Sequence, residues 1–128
     1  MILLDTCTLL WVVGQQKNLS HAAKAAVERC APNVFVSSIT ALEIALKYKK
    51  KLLKLPSVPE TWFADVLKLH GIIEIPVDYL IATTSVNLSD HHNDPFDRLI
   101  IATAKTKKLS IVTCDRHIAC YTDINVIW

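Results

Sequence analysis

The chain of 128 residues has few of the features that disorder, membrane insertion or a disulfide scaffold requires. It contains only two glycines and five prolines, and its apolar share of 52% excludes low complexity. No apolar run approaches the ~20 residues that cross a bilayer. The four cysteines form no C-x-x-C pair, and the first residues lack the basic region of a signal peptide. We therefore expect one globular domain over residues 1–128, cytoplasmic and away from membranes.

Charge of a single sign is also lacking. The chain carries 14 basic and 12 acidic residues, for a net charge of +2. A basic coat over the whole surface, typical of proteins that bind nucleic acid without specificity, is thereby excluded. A local basic patch stays compatible with this balance.

Short apolar segments alternate with helical patterns along the whole chain. The patterns predict strands at 2–4, 34–36, 72–75, 110–113 and 125–128, with helices at 7–13, 20–30, 39–51, 60–70, 79–86 and 95–108 and a short helix or turn at 116–121. Strands buried on both faces lose polar alternation, as these do, which is typical of a parallel sheet. We predict an α/β fold, a three-layer α/β/α sandwich around a mainly parallel, about five-stranded sheet.

Acidic residues follow or lie near the predicted strand ends, where folds of this class bind ligands. Asp5 ends the first strand and Asp115 follows the fourth, while Glu43 and Asp97 stand early in helices. Four carboxylates at one rim repel each other unless some bind protons or a divalent cation neutralises them. Oxygen ligation without paired Cys or His favours Mg²⁺ or Mn²⁺ over zinc. The residues therefore predict a metal-dependent phosphodiesterase or phosphatase.

Four segments share their order and spacing with a known family. They are ILLDT from Ile2, SSITALEIALK from Ser37, DPFDRLIIATA from Asp94 and VTCD from Val112. Together they resemble the PIN-domain ribonucleases and, more narrowly, the VapC-like toxins of bacterial type II toxin–antitoxin systems. The resemblance implies a Mg²⁺- or Mn²⁺-dependent endoribonuclease that acts on RNA and is held inactive by a cognate antitoxin. Apolar helical surface near residues 9–13 and 42–53 also suggests a homodimer or antitoxin contact.

The resemblance also implies roles for single residues. Asp5, Asp97 and Asp115 match the family's metal ligands, and Glu43 would orient or deprotonate the attacking water. Asp94 is a possible further participant, but its place before Pro95 favours a helix N-cap. In-line attack by water would leave 5′-phosphate and 3′-hydroxyl ends on the cleaved RNA.

Other polar residues near these segments have two interpretations each. Thr6 and Thr113 either contact a metal-bound water or phosphate, or they cap and pack. Arg98 either contacts an RNA phosphate or forms an internal ion pair. His91 and His92 are interpreted as part of a polar loop rather than a metal site, and His117 as an exposed turn residue. Five lysines form either a solvated helix end or a track for the RNA backbone: Lys47, Lys49, Lys50, Lys51 and Lys54.

Three other functions compete with the nuclease. A phosphatase with an aspartyl nucleophile requires a second Asp two residues after Asp5, where this chain has Cys7. A response-regulator receiver requires paired acids there, which the chain also lacks. A noncatalytic PIN-like RNA- or protein-binding module is the strongest alternative, and the complete acid set argues against it.

Overall fold

The computed structural model describes residues 1–128 and contains one five-stranded parallel sheet. The strands are β1 (Ile2–Leu4), β2 (Val34–Ser37), β3 (Ile73–Ile75), β4 (Ser110–Val112) and β5 (Val126–Ile127). They lie in the order β3-β2-β1-β4-β5, and every neighbouring pair is parallel. Leu4, in the central strand, is paired with Val36 on one side and Val112 on the other. The predicted parallel sheet is confirmed.

Seven α-helices connect and cover the strands. They are α1 (Thr6–Gly14), α2 (His21–Cys30), α3 (Ser38–Lys49), α4 (Pro59–His70), α5 (Tyr79–Val86), α6 (Pro95–Lys107) and α7 (Arg116–Ala119). Six of them begin at a side chain that accepts a hydrogen bond from the first turn, as N-caps do: Asp5, Ser20, Ser37, Asp78, Asp94 and Asp115. No helix combines the length and apolar character that a membrane span requires.

Two apolar cores lie on opposite faces of the sheet and account for the three layers. Ile2 and Leu4 point into one core, which α1, α2, α3 and α4 complete. Leu3 points into the other, where α5, α6 and α7 pack. Alternate residues of β1 thus serve opposite faces, and all three are at most 2% exposed. The α/β/α sandwich predicted from the sequence is confirmed.

Some predicted boundaries differ from the structure. Helix α3 ends at Lys49, two residues early, and the chain then turns through Lys51 in the left-handed region at φ 59°. The backbone N–H of Ile72 donates to Leu67 at the end of α4, so β3 begins one residue later than predicted. A short 3₁₀ turn at Gln16–Asn18 was not predicted. Leu9 and Val12 are buried in the core, so the surface predicted near residues 9–13 does not include them.

Candidate active site

The carboxyl ends of two central strands place the first pair of predicted acids. Because β1 and β4 are adjacent and parallel, Asp5 after β1 and Asp115 after β4 come to the same edge of the sheet. Glu43 reaches that edge from the second turn of α3, and Asp97 from the first turn of α6. The four acids that the sequence singled out therefore lie together at one rim.

Asp5 is the most buried of the four, at 6% exposure. Its Oδ1 accepts a hydrogen bond of 2.8 Å from the backbone N–H of Thr8, and its Oδ2 accepts one from the hydroxyl of Thr113. Burial raises the pKa of Asp5, and the hydrogen bonds from Thr113 and Thr8 oppose this rise. Thr113 thus donates to an acid of the site, and its predicted contact with a metal-bound water or phosphate stays a prediction.

Asp97 is partly buried among other negative charges. Burial and, after it, the negative charges of Asp94, Glu43 and Asp115 together raise its pKa to about 7, while His92 opposes the rise. Asp94 itself accepts a 2.8 Å hydrogen bond from the backbone N–H of Phe96, so it is the predicted N-cap. A carboxylate crowded in this way gains from either a proton or a cation.

Asp115 and Glu43 are held by neighbouring side chains. Asp115 caps α7 by accepting from the backbone N–H of His117 at 2.8 Å. Partial burial raises its pKa, but hydrogen bonds with His92 and His117 bring it below its ordinary value. Glu43 accepts a 2.8 Å hydrogen bond from the Thr6 hydroxyl on one oxygen and pairs with Lys47 at 3.2 Å on the other.

His92 belongs to this site, which the sequence analysis missed when it placed His91 and His92 in a polar loop. The Nε2 of His92 lies 3.0 Å from Oδ2 of Asp97 and 3.0 Å from Oδ2 of Asp115. The three residues present oxygen and nitrogen atoms within 4.8 Å of one another. His91 is exposed in the loop, with its ring edge-on to Tyr121. The sequence did contain a signal for this role: His92 lies in the turn that leads into the first turn of α6, which contains Asp97.

The structure does not support Arg98 as an RNA contact. One terminal nitrogen donates to the carbonyls of Ser89 and His92, and the other to those of Ser85 and Leu88, at 2.9 to 3.1 Å. Its side chain is only 15% exposed. Guanidinium groups bind phosphate through a free pair of N–H donors, and here both are engaged internally.

The oxygen-rich donor set fits a hard divalent cation. Asp97 and Asp115 present carboxylate oxygens within 4.8 Å of each other, and Asp5 lies at the same edge but outside that cluster. Burial and neighbouring negative charges raise the pKa of Asp97, and a bound Mg²⁺ or Mn²⁺ would relieve the repulsion among these charges. Acids at the carboxyl edge of a parallel α/β sheet stand where folds of this class bind ligands, which is where the nuclease predicted from the sequence requires them.

Comparisons with known proteins give the family. The PIN-domain model matches residues 2–123, and the chain belongs to the PIN-domain family. Ribonuclease VapC22 of Mycobacterium tuberculosis is 31% identical over 118 residues, covering 91% of this chain and 88% of the relative.

Solved structures share the fold at lower sequence identity. VapBC2 from Rickettsia felis, bound to a DNA fragment from its promoter, superposes with a TM-score of 0.72 at 16% identity and covers 98% of this chain and 97% of its own. A toxin–antitoxin complex from Klebsiella pneumoniae gives a TM-score of 0.68 at 24% identity, covering 97% and 95%. The resemblance seen in the sequence is confirmed at the level of family and fold.

Proposed function

We propose that this protein is a divalent-metal-dependent endoribonuclease and the toxin of a toxin–antitoxin pair. The observation that carries the proposal is the convergence of Asp5, Glu43, Asp97 and Asp115 at one rim of a PIN-domain fold. The relative at 31% identity is named a ribonuclease, which supports RNA as the substrate. The complexes that share the fold contain an antitoxin, which supports a protein inhibitor as the partner.

Three acids would hold the metal, and the oxygen donors suit Mg²⁺ or Mn²⁺. These are Asp5, Asp97 and Asp115. Asp94 is not included, because its carboxylate caps the N-terminus of α6. When bound, the ion would lower the pKa of a water and neutralise charge that develops on the phosphate.

Glu43 would orient the attacking water and receive its proton. Its two oxygens are fixed by Thr6 and Lys47, so the carboxylate meets the site in a defined orientation. The water oxygen bonds to phosphorus, the bond from phosphorus to the 3′ oxygen breaks, and a proton goes to that oxygen. The products would carry 5′-phosphate and 3′-hydroxyl ends.

The lysines in the last turn of α3 and directly after it would bind the RNA backbone beside the acidic centre. Lys47 is paired with Glu43, whereas Lys49, Lys50, Lys51 and Lys54 are exposed. Three of them border a surface hollow of about 600 Å³: Lys49, Lys51 and Lys54. Phosphate contacts of this kind make affinity fall steeply with salt.

A homodimer stays a prediction, supported by the exposed Leu42 and Leu52 within the surface named from the sequence. Light scattering at micromolar concentration checks it, and a monomer would count against it.

RNA cleavage in Mg²⁺, Mn²⁺ or EDTA tests the proposed function. A mixed structured RNA should be cut only with metal, leaving 5′-phosphate ends, and Asp97→Asn should lose at least about 100-fold in rate. Asp65→Asn, which removes an exposed carboxylate on α4, is the matched control and should cleave like wild type.

In the same assay, Lys49→Gln with Lys51→Gln should slow cleavage at low salt and weaken its salt dependence.

Two results would contradict the proposal. Ends bearing 2′,3′-cyclic phosphate would mean that the 2′-hydroxyl of the RNA attacked rather than water. RNA binding without cleavage of any substrate would favour the noncatalytic PIN-like module instead.

A further inference from the structure

His92 is fixed in place through its backbone as well as its ring. Its N–H donates to the hydroxyl oxygen of Tyr121 at 3.2 Å, and its carbonyl accepts from Arg98 at 2.9 Å. The ring nitrogen Nδ1 accepts from the backbone N–H of Asp94 at 3.1 Å. The side chain is 12% exposed. These contacts set His92 apart from its exposed neighbour His91.

The contact with Asp94 determines which ring nitrogen carries the hydrogen. A backbone N–H only donates, so Nδ1 must present its lone pair and the hydrogen of the neutral ring lies on Nε2. Nε2–H therefore donates to Oδ2 of Asp115 at 3.0 Å, with Oδ2 of Asp97 at the same distance. A nitrogen that carries a hydrogen has no lone pair for a metal. His92 therefore contacts the acids that would bind the metal and is not itself a metal ligand.

The hydrogen on Nε2 is donated to Asp115, while the carboxylate of Asp97 lies at the same distance from the ring without a hydrogen bond from it. Asp115 is also held by its capping bond from His117. The carboxylate of Asp97 accepts no side-chain hydrogen bond, and His92 is the one histidine or basic side chain within 4.0 Å of it. Without the imidazole, repulsion among the acids would be free to turn Asp97 away from Asp115.

We infer that His92 is a positioning residue that holds Asp97 and Asp115 together for a divalent cation. The inference rests on the proposed metal-dependent function. Groups that hydrogen-bond to metal ligands fix ligand orientation, and their loss costs about 10–100-fold in metal affinity or activity. Tyr121 and Arg98 support the same arrangement by holding the backbone of His92.

Mn²⁺ titration by calorimetry, on metal-free protein without RNA, tests the inference. His92→Ala should weaken Mn²⁺ binding by about tenfold or more. His92→Gln should recover part of the loss, because its amide N–H reaches close to the position of Nε2. His91→Ala removes an imidazole that does not touch the acids and should bind Mn²⁺ like wild type. Thermal unfolding in EDTA checks that each variant is folded.

The outcomes separate this inference from the proposed function. If His92→Ala binds Mn²⁺ as tightly as wild type, or more tightly, the positioning role is overturned and the imidazole is neutral or competes with the cation. If wild type binds no Mn²⁺ at all, the metal-dependent function falls, and this inference falls with it. If His92→Ala fails to fold, equal Mn²⁺ affinity of His92→Gln and His92→Asn decides against the role, because Asn places no donor near the acids.

Discussion

Single side chains at the sheet edge are placed where their charges conflict. Burial and three neighbouring carboxylates raise the pKa of Asp97 to about 7, while Asp5 is almost fully enclosed. The sequence predicted this crowding, because an acid at a strand end and an acid in a first helical turn are local features. It did not identify His92, whose contact with Asp97 and Asp115 depends on how a loop folds back over the sheet edge.

The conflict at Asp97 has a consequence for stability in the absence of metal. An unfolded Asp releases its proton near ~3.9, whereas folded Asp97 keeps it up to about pH 7. Between these values the folded state binds more protons, so a rise in pH lowers the free energy of unfolding. In EDTA, Asp97→Asn should therefore unfold at a higher temperature than wild type, with a difference that grows from pH 5 to pH 7.5.

Thermal unfolding followed by circular dichroism measures this difference. We expect about 3–5 °C at pH 7.5, the shift that ~1 kcal/mol produces in a domain of this size. Asp65→Asn is again the control and should show no growth with pH. A constant difference across the pH range would mean that the Asp97 carboxylate is not disfavoured in the fold.

At the scale of elements, the guanidinium group of Arg98 holds the segment between α5 and α6 in place. Arg98 donates to four carbonyls of residues 85–92. The hydroxyl of Tyr121 donates to one of these four as well, the carbonyl of Ser89. The loop carries His92 and Asp94, so its shape sets part of the acidic site. The sequence predicted a polar loop that contains His91 and His92. It did not predict how the loop is held, because Arg98 lies in the next helix and its sequence position suggests only a neighbour of Asp97.

Replacement of Arg98 by Lys separates the internal role from RNA binding. Lys keeps the positive charge but has no planar fork to reach both pairs of carbonyls. Arg98→Lys should lower the free energy of unfolding by about 2–4 kcal/mol, since several charge-assisted hydrogen bonds are lost. Arg29→Lys, exposed at the end of α2, should leave stability unchanged.

Urea denaturation gives the two free energies, and RNA binding by the same variants gives the comparison. Unchanged stability of Arg98→Lys together with weaker RNA binding would restore Arg98 as the RNA contact that the sequence suggested.

At the scale of the whole molecule, strand order determines where the acids meet. The order β3-β2-β1-β4-β5 makes β1 and β4 neighbours, which brings Asp5 and Asp115 to one edge although 110 positions separate them in the chain. The alternation of strands and helices predicted the layers and the parallel sheet, because apolar periodicity is local. It could not predict which strands pair, since pairing depends on how each crossover packs over the sheet.

We propose that this edge of the sheet binds a divalent cation. Mn²⁺ titration of wild type, Asp5→Asn and Asp97→Asn tests this most directly, because it requires no knowledge of the RNA substrate. We expect wild type to bind Mn²⁺, and each variant to bind at least about tenfold more weakly, because each has lost a charged oxygen ligand. Asp65→Asn should bind like wild type. Absence of binding by wild type, or equal binding by all four proteins, would contradict the assignment of a metal centre to these acids.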